Sequence, residues 1–188
     1  MEINMSIADS DNSLLMVIDI QEKLTAAMPQ GVRDRVVEQV EVLLTAAQAL
    51  SVPVVATEQY PKGLGPLEAP IRSKLPADTA VIEKTRFSSA KVEAVNQFLQ
   101  QSDRKQVFLT GMETHICILQ TALDLLKQGY EVFVIEDAVS SRAKGNQFNA
   151  LQRMRLAGAV ITNVESVLFE WLGDAAHPEF RALAKLIV

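Results

Sequence analysis

Apolar bursts alternate with helically spaced apolar runs from one end of the chain to the other. LLMVID (Leu14 to Asp19) is a continuous apolar run ending in a carboxylate, and VPVVATE, TAVIEK (Thr79 to Lys84), QVFLTG (Gln106 to Gly111), YEVFVIED (Tyr130 to Asp137) and AVITN follow the same style. Short runs of Val, Ile and Leu bounded by turn residues mark strands buried on both faces. Between them, VRDRVVEQVEVLLTAAQAL places Val36, Val40, Leu43, Leu44 and Leu50 at helical spacing. Further helices are predicted for SAKVEAVNQFLQQS with Ser88 or Ser89 as its cap, for CILQTALDLLKQG ending at Gly129, for NQFNALQRMRLAG, and for PEFRALAKLI from Pro178. Strands alternating with helices predict a doubly wound, three-layer α/β sandwich with a mostly parallel sheet of about six strands. One long gap breaks the pattern, QYPKGLGPLEAPIRSKLP (Gln59 to Pro76). A Gly- and Pro-rich loop of that length in a compact domain is expected to shape or cover a site.

The length of 188 residues fits a single domain spanning 1–188, with residues 1–12 expected to fray. The net charge of -5, without a Lys/Arg cluster, argues against a nucleic-acid partner. One cysteine among 188 residues rules out an intrachain disulfide and fits a reducing compartment. The start, MEINMSIADSDNSLL, lacks the basic patch and apolar core of a signal peptide, and no apolar run reaches the ~18 residues that span a bilayer. These features predict a cytoplasmic protein with no membrane partner.

Cys117, the lone cysteine, stands where a strand gives way to a helix. Unpaired N–H groups and the positive end of the helix dipole favour thiolate there, and the thiolate is the nucleophile. A lone cysteine is as readily a small buried hydrophobe. The remaining chain shifts the balance, because Asp19 follows the first strand, Lys84 the third and Cys117 the fourth. Ligands of open α/β sheets gather at those carboxyl ends. Taken singly, Asp19 is a turn cap and Lys84 a solvated lysine. Together they supply a nucleophile, a carboxylate to take its proton and a cation to hold both.

The segments VIDIQ, VIEKTRFS and LTGMETHICILQTALDLLKQG resemble the three signature regions of the isochorismatase-like cysteine hydrolases. TEQYPKGLGP, DAVSSR, ALQRMRLAGA and GDAAHPEF are similar to segments of the isochorismatase domain-containing proteins within that superfamily. The resemblance runs from Leu14 to about Val188 and implies the Rossmann-like fold of the superfamily. It implies a triad of Asp19, Lys84 and Cys117 in which the cysteine attacks an amide-like carbonyl and forms a thioester. It also implies a non-proline cis peptide between Glu113 and Thr114, and an oxyanion hole made by the N–H groups of Glu113 and Cys117, with Thr114 fixing the turn or lining the pocket.

The chain departs from the metal-binding nicotinamidases, which carry histidines in the loop after the second strand. That loop here reads TEQYPKGLG, and the two histidines are His115 and His177. No metal and no other cofactor is therefore expected. Gln21, Gln59, Tyr60, Arg86 and His115 are candidate substrate contacts, each with a bland counterpart: a helix-start hydrogen bond, loop packing, or a solvated side chain. Trp171, Phe169 and Leu172 read as core or interface. The expected function is hydrolysis of a C–N bond in a small amide or carbamoyl substrate by a homo-oligomer. The competing readings are a binding or regulatory protein on the same fold, with weak or no turnover, and a redox-sensing thiol, which lacks a resolving cysteine.

Overall fold

Six strands, β1 (Ser13–Ile18), β2 (Val54–Gln59), β3 (Ala80–Lys84), β4 (Gln106–Met112), β5 (Glu131–Ser140) and β6 (Val160–Thr162), form one sheet in the order β3-β2-β1-β4-β5-β6. All five neighbouring pairs are parallel. The computed structural model describes residues 6–29 and 31–187. Its helices are α1 (Glu22–Ala26), α2 (Val32–Ala49), α3 (Pro61–Leu64), α4 (Ala69–Lys74), α5 (Glu93–Ser102), α6 (Leu119–Lys127), α7 (Lys144–Leu156), α8 (Val164–Leu172) and α9 (Phe180–Ala184).

The period-two geometry of a strand splits β1 between two cores. Leu15 and Val17 pack with α2 and α8 on one face, while Leu14, Met16 and Ile18 pack with α5, α6 and α7 on the other. Full burial of a Leu or Ile side chain stabilises by about 1.5–3 kcal/mol, so this strand anchors both layers. Phe108 stacks on Phe133 at 4.5 Å and meets Trp171 edge-on at 5.2 Å. The Trp171 indole N–H donates to Ser13 Oγ at 2.8 Å, which joins α8 to the start of β1.

Strand order reverses between β1 and β4, and the crevice of the sheet opens at their carboxyl ends. There Ile18 is paired with Gly111, whose φ is +120°. A Cβ at Gly111 would lie 1.8 Å from the Ile18 carbonyl oxygen, so only glycine lets the two strands approach.

Several expectations need correction. The helix predicted from Ser89 divides into a 3-10 turn, Ser89–Lys91, and α5, whose N-cap is Val92 without a side-chain cap. Ser88 and Ser89 instead dock the turn on α6: Ser88 Oγ donates to Gln120 O at 3.4 Å, and the Ser89 N–H donates to Thr121 Oγ1 at 2.9 Å. The terminal helix is shorter than predicted, five residues beginning at Phe180. The sequence reading did not anticipate α8, although Asn163 caps it by accepting the Ser166 N–H at 2.8 Å.

The expected fraying of residues 1–12 falls partly on residues 1–5, which lie outside the described residues. Residues 8–12 are docked. The Ala8 N–H donates to Glu170 Oε2 at 2.7 Å, Arg104 Nη1 donates to Ser10 O at 3.1 Å, and Ser10–Asn12 form a 3-10 turn. The loop predicted from Gln59 to Pro76 holds the end of β2 and two short helices, α3 and α4. Glu68, at its centre, is buried against Thr25 and takes Arg33 Nε at 2.8 Å and Nη2 at 2.7 Å. No described helix is long and apolar enough to cross a membrane.

Candidate active site

Asp19 follows β1 in the left-handed region (φ 54°), and its side chain is closed to solvent. Its carboxylate accepts two hydrogen bonds, from Thr57 Oγ1 to Oδ1 at 2.7 Å and from Lys84 Nζ to Oδ2 at 2.6 Å. Lys84 ends β3, two strands away, and spans the end of β2 to reach it. The Lys84 ammonium also donates to Gln59 Oε1 at 2.7 Å, to the carbonyls of Arg86 and Phe87 at 3.3 Å each, and to Cys117 Sγ at 3.8 Å. A buried ammonium surrounded by acceptors keeps its place and its charge partner.

Cys117 lies within a π-helical turn, Thr114–Ile118, between β4 and α6. The wide turn closes through the Ile118 N–H, which donates to Glu113 O at 3.3 Å. The thiol lies 3.8 Å from Lys84 Nζ, and the Asp19 charge acts on it. The three predicted triad residues are thus brought together.

The protonation state expected from the helix start does not hold. Burial pushes the Cys117 thiol up to about 12, the Asp19 charge adds to the rise, and Lys84 and the Glu113 N–H oppose it. Burial also raises Asp19, against the pull of Lys84, Thr57 and Cys117. The resting site therefore holds a thiol. Loss of water around the sulfur costs more than the nearby positive groups return.

The non-proline cis peptide lies between Met112 and Glu113, one bond before the position the resemblance assigned. The Glu113 side chain is buried, forms an ion pair with Arg142 Nε at 2.7 Å and accepts the Arg142 N–H at 3.1 Å. Thr114 is fully buried, and its hydroxyl has no partner among the described residues.

The other candidates divide. Gln59 is buried and orients Lys84, with its Nε2 donating to Thr85 O at 2.9 Å. Gln21 braces Gln59: its Oε1 accepts the Gln59 N–H at 2.7 Å, and its Nε2 donates to Gln59 O at 3.1 Å and Gly65 O at 2.6 Å. Tyr60 is 55% exposed and lines an open cleft beside Lys84 with Lys62, Glu83 and Thr85. Arg86 offers its carbonyl to Lys84 while its side chain is exposed. His115 turns toward the β5–α7 junction, with Nδ1 2.9 Å from Ser141 Oγ and Nε2 3.4 Å from Asn146 Nδ2.

Sequence reasoning missed Thr57 and Arg142. Thr57 was legible as the polar residue inside the apolar strand VVATE. Arg142 was legible in DAVSSR, but only the fold brings it to Glu113. Among the described residues no three His, Cys, Asp or Glu side chains gather as a metal site.

The Isochorismatase domain matches residues 13–166. The chain belongs to the isochorismatase family. It is 42% identical over 182 residues to the secreted isochorismatase effector Isc1 of Phytophthora sojae, covering 94% of this chain and 84% of that protein. It is 40% identical over 180 residues to isochorismatase domain-containing protein 2 of Xenopus laevis, again covering 94% and 84%. Among solved structures, MAR1 ribonuclease from Caenorhabditis elegans superposes with a TM-score of 0.91 at 36% identity, covering 97% of this chain and 92% of that one. The chain shares its fold with that structure across nearly its whole length.

Proposed function

We propose that the protein is a metal-independent cysteine hydrolase that cleaves a C–N bond in a small amide or carbamoyl substrate. The observation that carries this reading is the buried Lys84 ammonium, which bonds Asp19 at 2.6 Å and lies 3.8 Å from the buried Cys117 sulfur.

In the proposed reaction the Cys117 proton passes to Asp19 as the sulfur attacks the carbonyl carbon. The carbonyl electron pair moves onto oxygen, where the N–H groups of Glu113 and Cys117 receive it. The C–N bond then breaks, Asp19 returns its proton to the leaving nitrogen, and a thioester remains. Asp19 next takes a proton from water, whose oxygen attacks the thioester and releases the acid. The returned proton restores the thiol. Burial suits Asp19 to this task, since a raised carboxyl is a better proton acceptor. The Lys84 ammonium, beside both Asp19 and Cys117, lowers the cost of the transient thiolate.

The ribonuclease named for the C. elegans relative suggests a second activity. A net charge of -5 makes it the weaker reading, because binding an RNA backbone depends on clustered cations. A binding role without turnover draws support from the protonated resting thiol. Against it stands the complete set of hydrogen-bond partners around Asp19 and Lys84. The exposed side chains of Leu156 and Phe169 support a homo-oligomer. The single cysteine supports a reducing, cytoplasmic location, although one relative is named as secreted.

The test is ammonia release across a panel of small amides and carbamoyl compounds, followed by mass spectrometry of the quenched enzyme. The expected result is an acyl adduct on Cys117, with turnover lost in Cys117→Ala and unchanged by a chelator. Equal turnover in Cys117→Ala sinks the nucleophile. Loss on chelation sinks metal independence.

A further inference from the structure

At the carboxyl end of β5 the chain runs from Ser140 through Ser141, Arg142 and Ala143 into α7 at Lys144. This helix is thirteen residues long, its N-cap is Ala143 with no side-chain cap, and its first turn contains no acidic residue. The N–H groups of Lys144 and Gly145 have no acceptor among the described residues. A Cβ built on Gly145 would meet nothing within 4 Å, so a ligand can come close to the backbone there. Such an end carries about half a positive charge and unfilled donors, and anions bind to it.

A second observation points to a ligand. Ser140 is 1% exposed, lines a cavity of about 290 Å³ beside the helix start, and its hydroxyl has no partner among the described residues. Its neighbours are already committed: Ser141 Oγ to His115 at 2.9 Å and Arg142 Nε to Glu113 at 2.7 Å. Lys144 lines the same cavity and is exposed, without an ion pair among the described residues. Arg35 reaches the cavity from α2; the carboxylate it faces, Asp137, accepts the Val164 N–H at 3.0 Å. The rest of the wall is Pro29, Val32, Phe148 and Leu151, with Gln147, whose Nε2 donates to Val139 O at 3.2 Å.

We propose that this cavity binds a phosphate monoester. The phosphoryl oxygens take the Lys144 and Gly145 N–H groups, the Lys144 ammonium and the Ser140 hydroxyl, and the organic group lies against Val32, Phe148 and Leu151. Two N–H groups, a hydroxyl and an ammonium suit a three-oxygen dianion better than a two-oxygen carboxylate. This site is independent of the thioester chemistry and stands whether or not Cys117 turns over an amide.

The experiment is a titration of the isotope-labelled full chain with phenyl phosphate, inorganic phosphate and benzoate, followed by backbone amide shifts. The expected result is saturable shifts at Lys144 and Gly145, tightest for phenyl phosphate and weakest for benzoate. Lys144→Gln should weaken phenyl phosphate at least about tenfold, and Ser140→Ala severalfold. Lys144 is exposed, so its variant should keep the wild-type unfolding temperature as a control on folding. No saturable shift overturns the proposal. So do shifts centred on Arg86 and Tyr60, or an affinity unchanged in both variants.

Discussion

Lys84 Nζ lies 2.6 Å from Asp19 Oδ2, and neither side chain is exposed to solvent. The pair ties the third strand of the sheet to the first across the end of the second, and Gln59 and Thr57 from that middle strand fasten each partner. Removing one member leaves the other charge buried and unpaired, which costs about 3–5 kcal/mol. Lys84→Met should therefore lower unfolding stability by that order in a denaturant titration. The double variant with Asp19→Asn should recover part of the loss. A double variant that loses the sum of the two single losses would mean that the two groups do not feel each other.

Thiol reactivity separates the helix-dipole expectation from the buried-site one. A dipole-activated cysteine alkylates well below the ordinary thiol value of about 8.5. With Cys117 at about 12, iodoacetamide alkylation should instead keep rising through pH 10 without a plateau. Asp19 holds the thiol up through its charge, so Asp19→Asn should shift the profile to lower pH while abolishing turnover. A profile that does not move places the Asp19 charge away from the sulfur.

Gly111 is the tightest approach beneath the site, with a hypothetical Cβ 1.8 Å from the backbone oxygen of Ile18. No side chain can yield there, because the clash is with the neighbouring strand itself. Gly111→Ala should cost more than about 4 kcal/mol, or prevent folding at 37 °C. A variant with wild-type unfolding temperature would contradict the strand approach.

Glu68 gives a pH test outside the site. Hydrogen bonds from Arg33 hold its carboxyl below the ordinary 4.5, with burial opposing. A lowered folded value means that its contribution is present above 4.5 and is lost as pH falls through the folded value. Glu68→Gln should then destabilise by about 1–2 kcal/mol at pH 7, since Arg33 is half exposed and partly screened. The wild-type advantage should fade below pH 4.5. An advantage constant down to pH 2 would assign the effect to packing.

The sequence by itself determined the six strands, the parallel sheet, the longer helices other than α8, and the placement of Asp19, Lys84 and Cys117 at one edge of the sheet. Continuous apolar runs such as LLMVID can be buried only inside a layered sheet, and a residue that ends such a run falls on its functional edge. Tertiary structure alone decided what surrounds them. Thr57 reaches Asp19, and Gln59 reaches Lys84, because parallel register places the ends of three strands side by side. His115, two residues from the nucleophile in sequence, is directed by a wide π-helical turn toward Ser141. The protonation of Cys117 was likewise beyond a local reading. A helix start favours thiolate, but exclusion of water by two packed layers outweighs it, and that exclusion depends on residues from every part of the chain.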